Sequence, residues 1–201
     1  MGRFLFGLVI GIILVPLVAL AYFKWGRVPV AVSDPPFPNE KMVTAVPLEA
    51  RINREMVQNP PVQANEETFE SGAHVYAEQC AVCHGFHGQP SKIGKHVFPS
   101  APPLWDKHGH GDTIGVSDDP PGETYWKVAN GIRLTGMPAY KGILSDTEMW
   151  QVSILLANAD KPLPPEVVLM LKGPTSASAA AGSAETGQPD KQAGANTGAH
   201  P

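Results

Sequence analysis

The pattern of apolar positions singles out the start of the 201-residue chain. Residues 4–23 are 20 consecutive positions without a charge. At about 1.5 Å per residue, a helix of that length spans about 30 Å, the hydrocarbon thickness of a bilayer. We therefore predict a transmembrane helix within residues 1–25. The alternative is a cleaved signal peptide with its small-residue cleavage site at residues 19–21. However, this apolar stretch is longer than the apolar region of most signal peptides, and Arg3 is the only basic residue before it.

Two further regions lack any long apolar periodicity. Residues 26–65 are interrupted repeatedly by proline, which favours an extended spacer with room for one short helix at residues 48–56. From Gly173 onward the chain is mostly Ala, Gly, Ser, Thr and Pro, with almost no large apolar residue. Residues 161–201 are therefore predicted to form a flexible, low-complexity tail.

Residues 66–160 carry the periodicity of a globular, all-α domain. Apolar residues recur at intervals of three and four over residues 68–79, which predicts a first helix. Residues 123–130 predict a second helix, closed by Gly131. A capping box at residues 145–148 opens a third helix that extends to about residue 158. Three helices joined by long loops hold little apolar mass, so we expect a prosthetic group to complete the core.

The two cysteines of the chain are three positions apart, in Cys80-Ala81-Val82-Cys83-His84. Two thiols at this spacing each reach one vinyl group of a haem, and His84 then lies where it ligates the iron. Half of a zinc site and a redox dithiol are the alternatives. Zinc needs two further ligands with matching spacing, and a dithiol motif needs a thioredoxin-like alternation of strands and helices. The chain has neither, so we predict one covalently attached haem c.

Met137 is the candidate for the second axial ligand. Its thioether is a soft ligand that suits haem iron and raises the reduction potential. Gly136 and Pro138 on either side predict a stiff loop, in which a methionine is badly placed for ordinary core packing. Core filling is the usual role of methionine and fits Met149 on the third helix. The rival ligands are the histidines of the same region: His74, His87, His96, His108 and His110.

On these motifs, residues 66–160 resemble the class I cytochrome c domains of bacteria. Gly72-x-x-x-Tyr76-x-x-x-Cys80-x-x-Cys83-His84-Gly85 is similar to the first helix and haem motif of that family, and Gly136-Met137-Pro138 to its distal loop. Pro102-Pro103-Leu104 resembles the loop whose proline carbonyl accepts a hydrogen bond from the proximal histidine. Trp150 stands where the family packs an aromatic against the glycine of the first helix. The loop of residues 89–122 is long for this family and has no assigned role.

The resemblance implies a cytochrome c fold of three main helices around one haem, with His84 and Met137 as axial ligands. Iron with both axial positions filled has no open site for substrate, so the resemblance implies an electron carrier and not an enzyme. Arg133 is either a partner of a haem propionate or a plain exposed arginine. The candidates for apolar packing around haem are Leu104, Trp105, Leu134, Tyr140 and Leu155.

The implied location follows from where haem c is attached, which is the outer side of the bacterial inner membrane. This places the N-terminus inside and the haem domain in the periplasm. The implied partners are redox proteins. One alternative is a permanent role as a haem c subunit or electron-entry module of a membrane respiratory enzyme or periplasmic dehydrogenase. Another is a sensor that binds a gas after losing its methionine ligand.

Charge narrows the class of partner. Residues 66–160 hold six Lys and Arg but twelve Asp and Glu, a net charge of −6 within a chain whose total is −4. An acidic domain is a poor match for nucleic acid. Taken as a net charge, the −6 favours a partner with a basic patch.

Overall fold

The structure is a computed structural model that describes residues 1–107 and 113–173. It divides into two compact units, residues 1–55 and the chain from Met56 onward. His108 and His110, two of the rival ligands, lie outside the described residues, as does the predicted tail from residue 174.

The first unit contains two helices. Helix α1 is Gly2–Trp25, which includes the predicted apolar span, and its end is closed by the Gly26 N–H donating to the carbonyl of Tyr22. It is the single helix, among the described residues, that is long and apolar enough to cross a membrane, and a signal sequence has the same properties. Helix α2, Glu40–Glu55, is longer than the short helix allowed within the predicted spacer and continues through Pro47.

The fate of α1 in the mature protein gives a direct test. If α1 is retained, the protein should sediment with membranes and stay there after carbonate extraction, because about 20 apolar residues in lipid resist release by charge and pH. Mass spectrometry should then find the original N-terminus. Soluble mature protein beginning near Tyr22 would show instead that the segment is a cleaved signal.

The second unit is helical, and its described residues form no strand, only isolated bridges. The all-α prediction is therefore confirmed, and the three predicted helices are present. The elements are α3 (Glu66–Val75), a π-helical turn (Tyr76–Cys80), α4 (Ala81–His84), a 3-10 turn (Ile93–His96), α5 (Pro121–Asn130), α6 (Asp146–Leu156) and α7 (Pro165–Leu171).

Local capping explains where these helices begin and end. The Asn65 side chain accepts a hydrogen bond from the Thr68 N–H at 2.8 Å, which starts α3. The predicted capping box is present at α6, where Ser145 and Glu148 satisfy each other's backbone N–H. Helix α5 begins two residues earlier than predicted because Pro121 occupies its first turn, and it ends at Gly131, whose φ of +66° suits glycine.

The core of the second unit is built on the crossing of α3 and α6. Ala73 and Tyr76 on one side, and Val152 and Leu155 on the other, are fully buried. The helices approach closely at Gly72, where an added Cβ would lie 2.5 Å from the carbonyl oxygen of Gln151. Trp150, expected against Gly72, is buried and stacks on Tyr125 with ring centroids 4.1 Å apart. The backbone of Gln151 and the side chain of Leu155 are the nearest neighbours of Gly72.

Replacing Gly72 with alanine should therefore destabilise the domain. The new methyl group meets backbone, which cannot rotate away, so the helices must separate, and overpacking of this kind costs about 1–3 kcal/mol. Chemical denaturation of the Gly72→Ala protein should show the loss. The neighbouring Ser71→Ala change is the control and should have little effect. Equal stability of both variants would show that the crossing tolerates expansion.

Helix α7 lies where the sequence indicates a flexible tail. Its Val167 and Leu171, one helical turn apart, are buried. The Leu171 carbonyl accepts from the His87 N–H at 2.9 Å, and the Lys172 carbonyl accepts from the Gln89 side chain at 2.7 Å. The chain up to residue 173 thus packs on the globular unit, directly beside the turn that follows the Cys-x-x-Cys-His motif. Seven residues were too short a helix to stand out by periodicity.

Candidate haem site

A π-helical turn carries the chain into the haem motif. The Ala81 N–H donates to the carbonyl of Tyr76, five residues back, which widens the helix just before the first cysteine. The buried Tyr76 hydroxyl donates to the Gly85 carbonyl at 2.6 Å and so ties the residues before the motif to those after it. Burial raises the pKa of Tyr76 well above its usual range, which keeps this hydroxyl a donor. Such turns occur often at functional sites, and the sequence showed no sign of this one.

The two cysteines are unpaired, half-buried and one helical turn apart. Burial, with the second thiol nearby, raises the pKa of Cys80 to about 12, so its thiol is protonated near neutral pH. Redox-active dithiols have the opposite property, a lowered pKa. In the parts of the chain that the structure describes, no three His, Cys, Asp or Glu residues are grouped as a metal site would need. The raised pKa of Cys80 argues against the dithiol alternative.

His84 is held by a backbone carbonyl. Its Nδ1 lies 2.8 Å from the carbonyl oxygen of Pro102. A carbonyl only accepts, so Nδ1 carries the proton and Nε2 is left with a free lone pair. Burial lowers the pKa of His84, which favours the neutral imidazole that metals require. The carbonyl of Pro102 is thus the hydrogen-bond acceptor that the resemblance implied.

Met137 is in a loop held by its own hydrogen bonds. The Thr135 hydroxyl donates to the Ile132 carbonyl at 2.7 Å and accepts from the Met137 N–H at 3.0 Å. The Met137 carbonyl accepts from the Ile132 N–H at 3.3 Å. The half-buried Met137 side chain packs on the apolar core. The loop is therefore as ordered as Gly136 and Pro138 led us to expect, and Thr135 is a residue that sequence reasoning missed.

Tyr140 joins the two halves of the site. Its hydroxyl donates to the carbonyl of Gln79 at 2.8 Å, directly before Cys80. Its backbone N–H donates to the Val128 carbonyl at 3.0 Å, which seats the segment after Met137 on α5. Burial and then the neighbouring thiols of Cys80 and Cys83 raise the pKa of Tyr140. The residues that bear the two predicted iron ligands are thereby connected.

Some of the other predicted site residues are buried, and the rest are exposed. Leu104, Trp105 and Leu155 are buried, as expected for packing around haem. Leu134 is 78% exposed, so it does not belong to the protein's own core, and its packing against haem stays a prediction. The loop places it at φ +64°, in the left-handed region. Four other predicted site residues are exposed: Arg133 and the rival ligands His74, His87 and His96.

Trp105 supplies a test of whether the residues present fit a haem. The indole Nε1 is buried and makes no well-aligned hydrogen bond among the described residues, although it interacts with the neighbouring Tyr76 hydroxyl. A buried N–H without a well-aligned acceptor is costly, so this atom is available to a polar group of a ligand. The ring also packs edge-on against Tyr76, at 5.5 Å between centroids, next to the haem motif. The donor set of two thiols, an imidazole and a thioether fits haem, and the position of this N–H is compatible with it.

The helical fold, the Cys-x-x-Cys-His turn and the carbonyl-held histidine define a class I c-type cytochrome domain, which binds haem and serves electron transfer. Residues 67–154 match the family model described as cytochrome c oxidase, cbb3-type, subunit III. The chain is also 35% identical, over 99 residues, to a thiosulfate dehydrogenase of Stutzerimonas stutzeri strain A1501. That match covers 48% of this chain and 29% of the dehydrogenase, so the chain spans less than a third of the length of that relative.

Proposed function

We propose that this protein transfers electrons through a single haem c, attached by thioethers to Cys80 and Cys83, with His84 and Met137 as axial ligands. When bound, the haem supplies a one-electron ferric–ferrous couple. The protein supplies the rest: it anchors the group, presents two ligands and keeps water away. It does not act as an enzyme by itself, because both axial positions are filled by protein.

The observation that carries the proposal is the hydrogen bond from His84 Nδ1 to Pro102. It fixes the tautomer and the orientation of the ring, so that Nε2 is the free nitrogen of a histidine adjacent to Cys83. A hydrogen bond to the far nitrogen of a ligating histidine also raises its basicity toward the metal. A surface histidine next to two inert cysteines would need no such partner.

The location in the periplasm is part of the same proposal. It is supported by α1, which precedes the domain and is long enough to span a membrane, and by the chemistry of thioether attachment to the haem motif. Together they favour a single-pass protein of the bacterial inner membrane with its haem domain outside.

A reduced-minus-oxidised spectrum with a redox titration tests the proposal. We expect the alkaline pyridine spectrum of haem c, one haem per chain and a single one-electron wave. Methionine ligation should add a weak far-red band in the oxidised protein. A spectrum of two low-spin histidine ligands, or a haem that extracts into acidified organic solvent, would contradict the proposed site.

Thr135 should position Met137. The isosteric change Thr135→Val removes the hydroxyl that joins the Ile132 carbonyl to the Met137 N–H, two hydrogen bonds of about 0.5–1.5 kcal/mol each. The loop should then open more often. Carbon monoxide should bind the ferrous protein faster, and the far-red band should be lost at lower pH than in the wild type.

Serine at the same position is the matched control, because Thr135→Ser keeps the hydroxyl and should behave as the wild type does. If valine and serine proteins bind carbon monoxide at the same slow rate, the hydroxyl does not hold the ligand in place.

A second function is favoured by the comparisons. The family model is that of an oxidase subunit, and the dehydrogenase relative is much longer than the matched region. The protein would then be the haem c module of a larger respiratory or dehydrogenase complex, using the same haem site. Extraction in a mild detergent followed by affinity purification decides between them. Stoichiometric co-purification of a partner indicates the module, and isolation of this chain alone indicates a free carrier.

A further inference from the structure

The end of helix α7 is bonded to the turn that follows the haem motif. The Leu171 carbonyl accepts a hydrogen bond from the backbone N–H of His87 at 2.9 Å. The carbonyl of Lys172 accepts from the side-chain amide of Gln89 at 2.7 Å. Carbonyls in the last turn of a helix have no partner within the helix itself, so another segment has to supply one. Residues 87 and 89 fill that role for α7.

Gly173 extends the same contact by one residue. Its φ is +69°, and a Cβ at this position would lie 2.6 Å from two carbons of the Phe86 ring. The backbone that leaves α7 therefore lies directly against that ring, in a conformation and a space that favour glycine. Residues 171–173 thus contact the turn at positions 86, 87 and 89. We call residues 165–173 the strap.

Burial of two side chains keeps the strap in place. Val167 and Leu171 are buried in the apolar cluster that also contains Tyr76 and Ala81, the residue that follows the first cysteine of the motif. A helix of seven residues is not stable by itself in water, so α7 forms where these side chains find the core. The strap therefore folds and docks as one unit, and its opening is a local event that leaves the rest of the domain folded.

The turn that the strap holds is closed on itself and adjoins the proximal histidine. Phe86 and Gln89 exchange two backbone hydrogen bonds, each of 2.9 Å. Gly85 is the one residue between this turn and His84. Its carbonyl accepts from the Tyr76 hydroxyl at 2.6 Å. Because a single residue intervenes, a displacement of the turn also displaces the backbone of His84.

The orientation of the His84 ring is sensitive to such a displacement. Nδ1 lies 2.8 Å from the carbonyl oxygen of Pro102, which belongs to a different loop. A hydrogen bond of this kind is lost by about 3.6 Å, so a movement of about 1 Å breaks it. The ring would then be free to rotate, and Nε2 would lose the basicity that the hydrogen bond gives it toward a metal.

We propose that the strap is a positioning element for the proximal ligand. By holding residues 86–89, it keeps His84 aligned between the Pro102 carbonyl and the haem iron. The inference rests on the proposed function, in which His84 ligates the iron. Gln89 and Gly173 act through the turn, so they are positioning residues. A strap that only stabilised the fold would leave the bond between iron and histidine unchanged when it opened.

Nitric oxide reports how firmly the histidine is held. It binds ferrous haem in place of the methionine and weakens the bond to the ligand on the opposite side. A well-held histidine keeps the nitrosyl haem six-coordinate, whereas a poorly held one dissociates and leaves it five-coordinate. EPR spectra distinguish the two forms. The full-length holoprotein, in nonionic detergent and saturated with nitric oxide, should be six-coordinate.

Two truncated holoproteins separate the strap from the residues that follow it. A chain that ends at Gly173 keeps the strap, and a chain that ends at Pro164 loses it. The first should match the full-length protein at neutral pH, and the second should contain several-fold more five-coordinate nitrosyl haem. Six-coordinate haem in both would overturn the proposal.

Point variants of the full-length chain open the strap without removing it, and they decide the matter if the shorter chain fails to accumulate. Gln89→Leu removes the donor to the Lys172 carbonyl without adding a charge near the iron. Gly173→Ala places a methyl group against the ring of Phe86. Both variants should raise the five-coordinate fraction several-fold. The His87 amide, which bonds to the strap, should exchange its hydrogen several-fold faster.

The chain offers a matched control for each variant. Gln63→Leu makes the same chemical change at an exposed glutamine before α3. Gly142→Ala places alanine at a φ of +96°, where its Cβ would meet no atom of the described residues within 4 Å. Both controls should match the wild type in nitrosyl coordination and in exchange of the His87 amide.

The outcomes distinguish this inference from the proposed function. Faster exchange at His87 with haem that stays six-coordinate would show that the strap opens without moving His84, and would overturn the proposal. Unchanged exchange in both point variants would show that these contacts do not hold the turn, with the same result. A wild type that lacks thioether-bound haem or its far-red band contradicts the proposed function instead, since the strap has no part in either.

Discussion

Replacing both Cys80 and Cys83 with alanine should remove all covalently held haem from the protein. Two thioether bonds are the only covalent links that the motif offers, so the denatured variant should show no haem staining on a gel. The domain should also fail to fold, because the half-buried residues of the site would lose the group that we propose completes the core. A domain of this size has a free energy of unfolding of about 5–15 kcal/mol, which is too little to offset the loss of haem from its core.

Single variants give the controls. Cys80→Ala alone should keep haem through Cys83, with a shifted pyridine spectrum because one vinyl group stays unsaturated. Val82→Ala, between the two cysteines, should keep full staining, since that side chain points outward. Haem staining of the double variant at the wild-type level would rule out attachment through this motif.

Replacing Met137 with leucine should lower the reduction potential strongly. The thioether favours ferrous iron, and axial ligands set haem potentials over a range of roughly 0.8 V. The far-red band of the oxidised protein should disappear with the sulfur. The freed coordination position should bind carbon monoxide, and peroxidase activity that the wild type lacks should appear. Absorption spectra, a redox titration and carbon monoxide mixing measure each effect.

Met149→Leu is the matched control, because Met149 is 3% exposed in the core of α6. A change between side chains of similar volume should cost less than about 1.5 kcal/mol and leave the spectrum unchanged. A Met137→Leu protein with the wild-type band and potential would contradict methionine ligation. His96 is the exposed rival whose variant should be tested next, together with His108.

Both variants bear on the two functions carried forward, a free carrier and a module of a larger complex. These share the haem site, so neither variant distinguishes them, and co-purification remains the deciding measurement.

The sequence by itself determined the helices and the chemistry of the site. Apolar periodicity is a local property, and it located α3, α5 and α6 to within a few residues. The capping box at Ser145 and the glycine cap at Gly131 are local as well, because each depends on residues within one turn. Cys80, Cys83, His84 and Met137 could be predicted as haem-binding residues because their spacing and neighbours carry the chemistry directly.

The tertiary structure decided what depends on contacts between distant residues. The π-helical turn and the roles of Thr135 and Tyr140 depend on hydrogen bonds that no local pattern encodes. Helix α7 forms because Val167 and Leu171 find a place in the core, although the same residues read in isolation indicated a tail. Trp150 stacks on Tyr125 because α5 as well as α3 packs against α6.

Charge shows the difference most clearly. The net charge of −6 favoured a basic partner, yet a sum discards position. Folding decides which charges are neighbours: Lys127, for example, lies 2.7 Å from Glu123 and 3.3 Å from Asp119. Because screening limits electrostatic steering to about 10 Å at moderate salt, the charges close to the site count most in the choice of a partner, and the tertiary structure decides which charges those are.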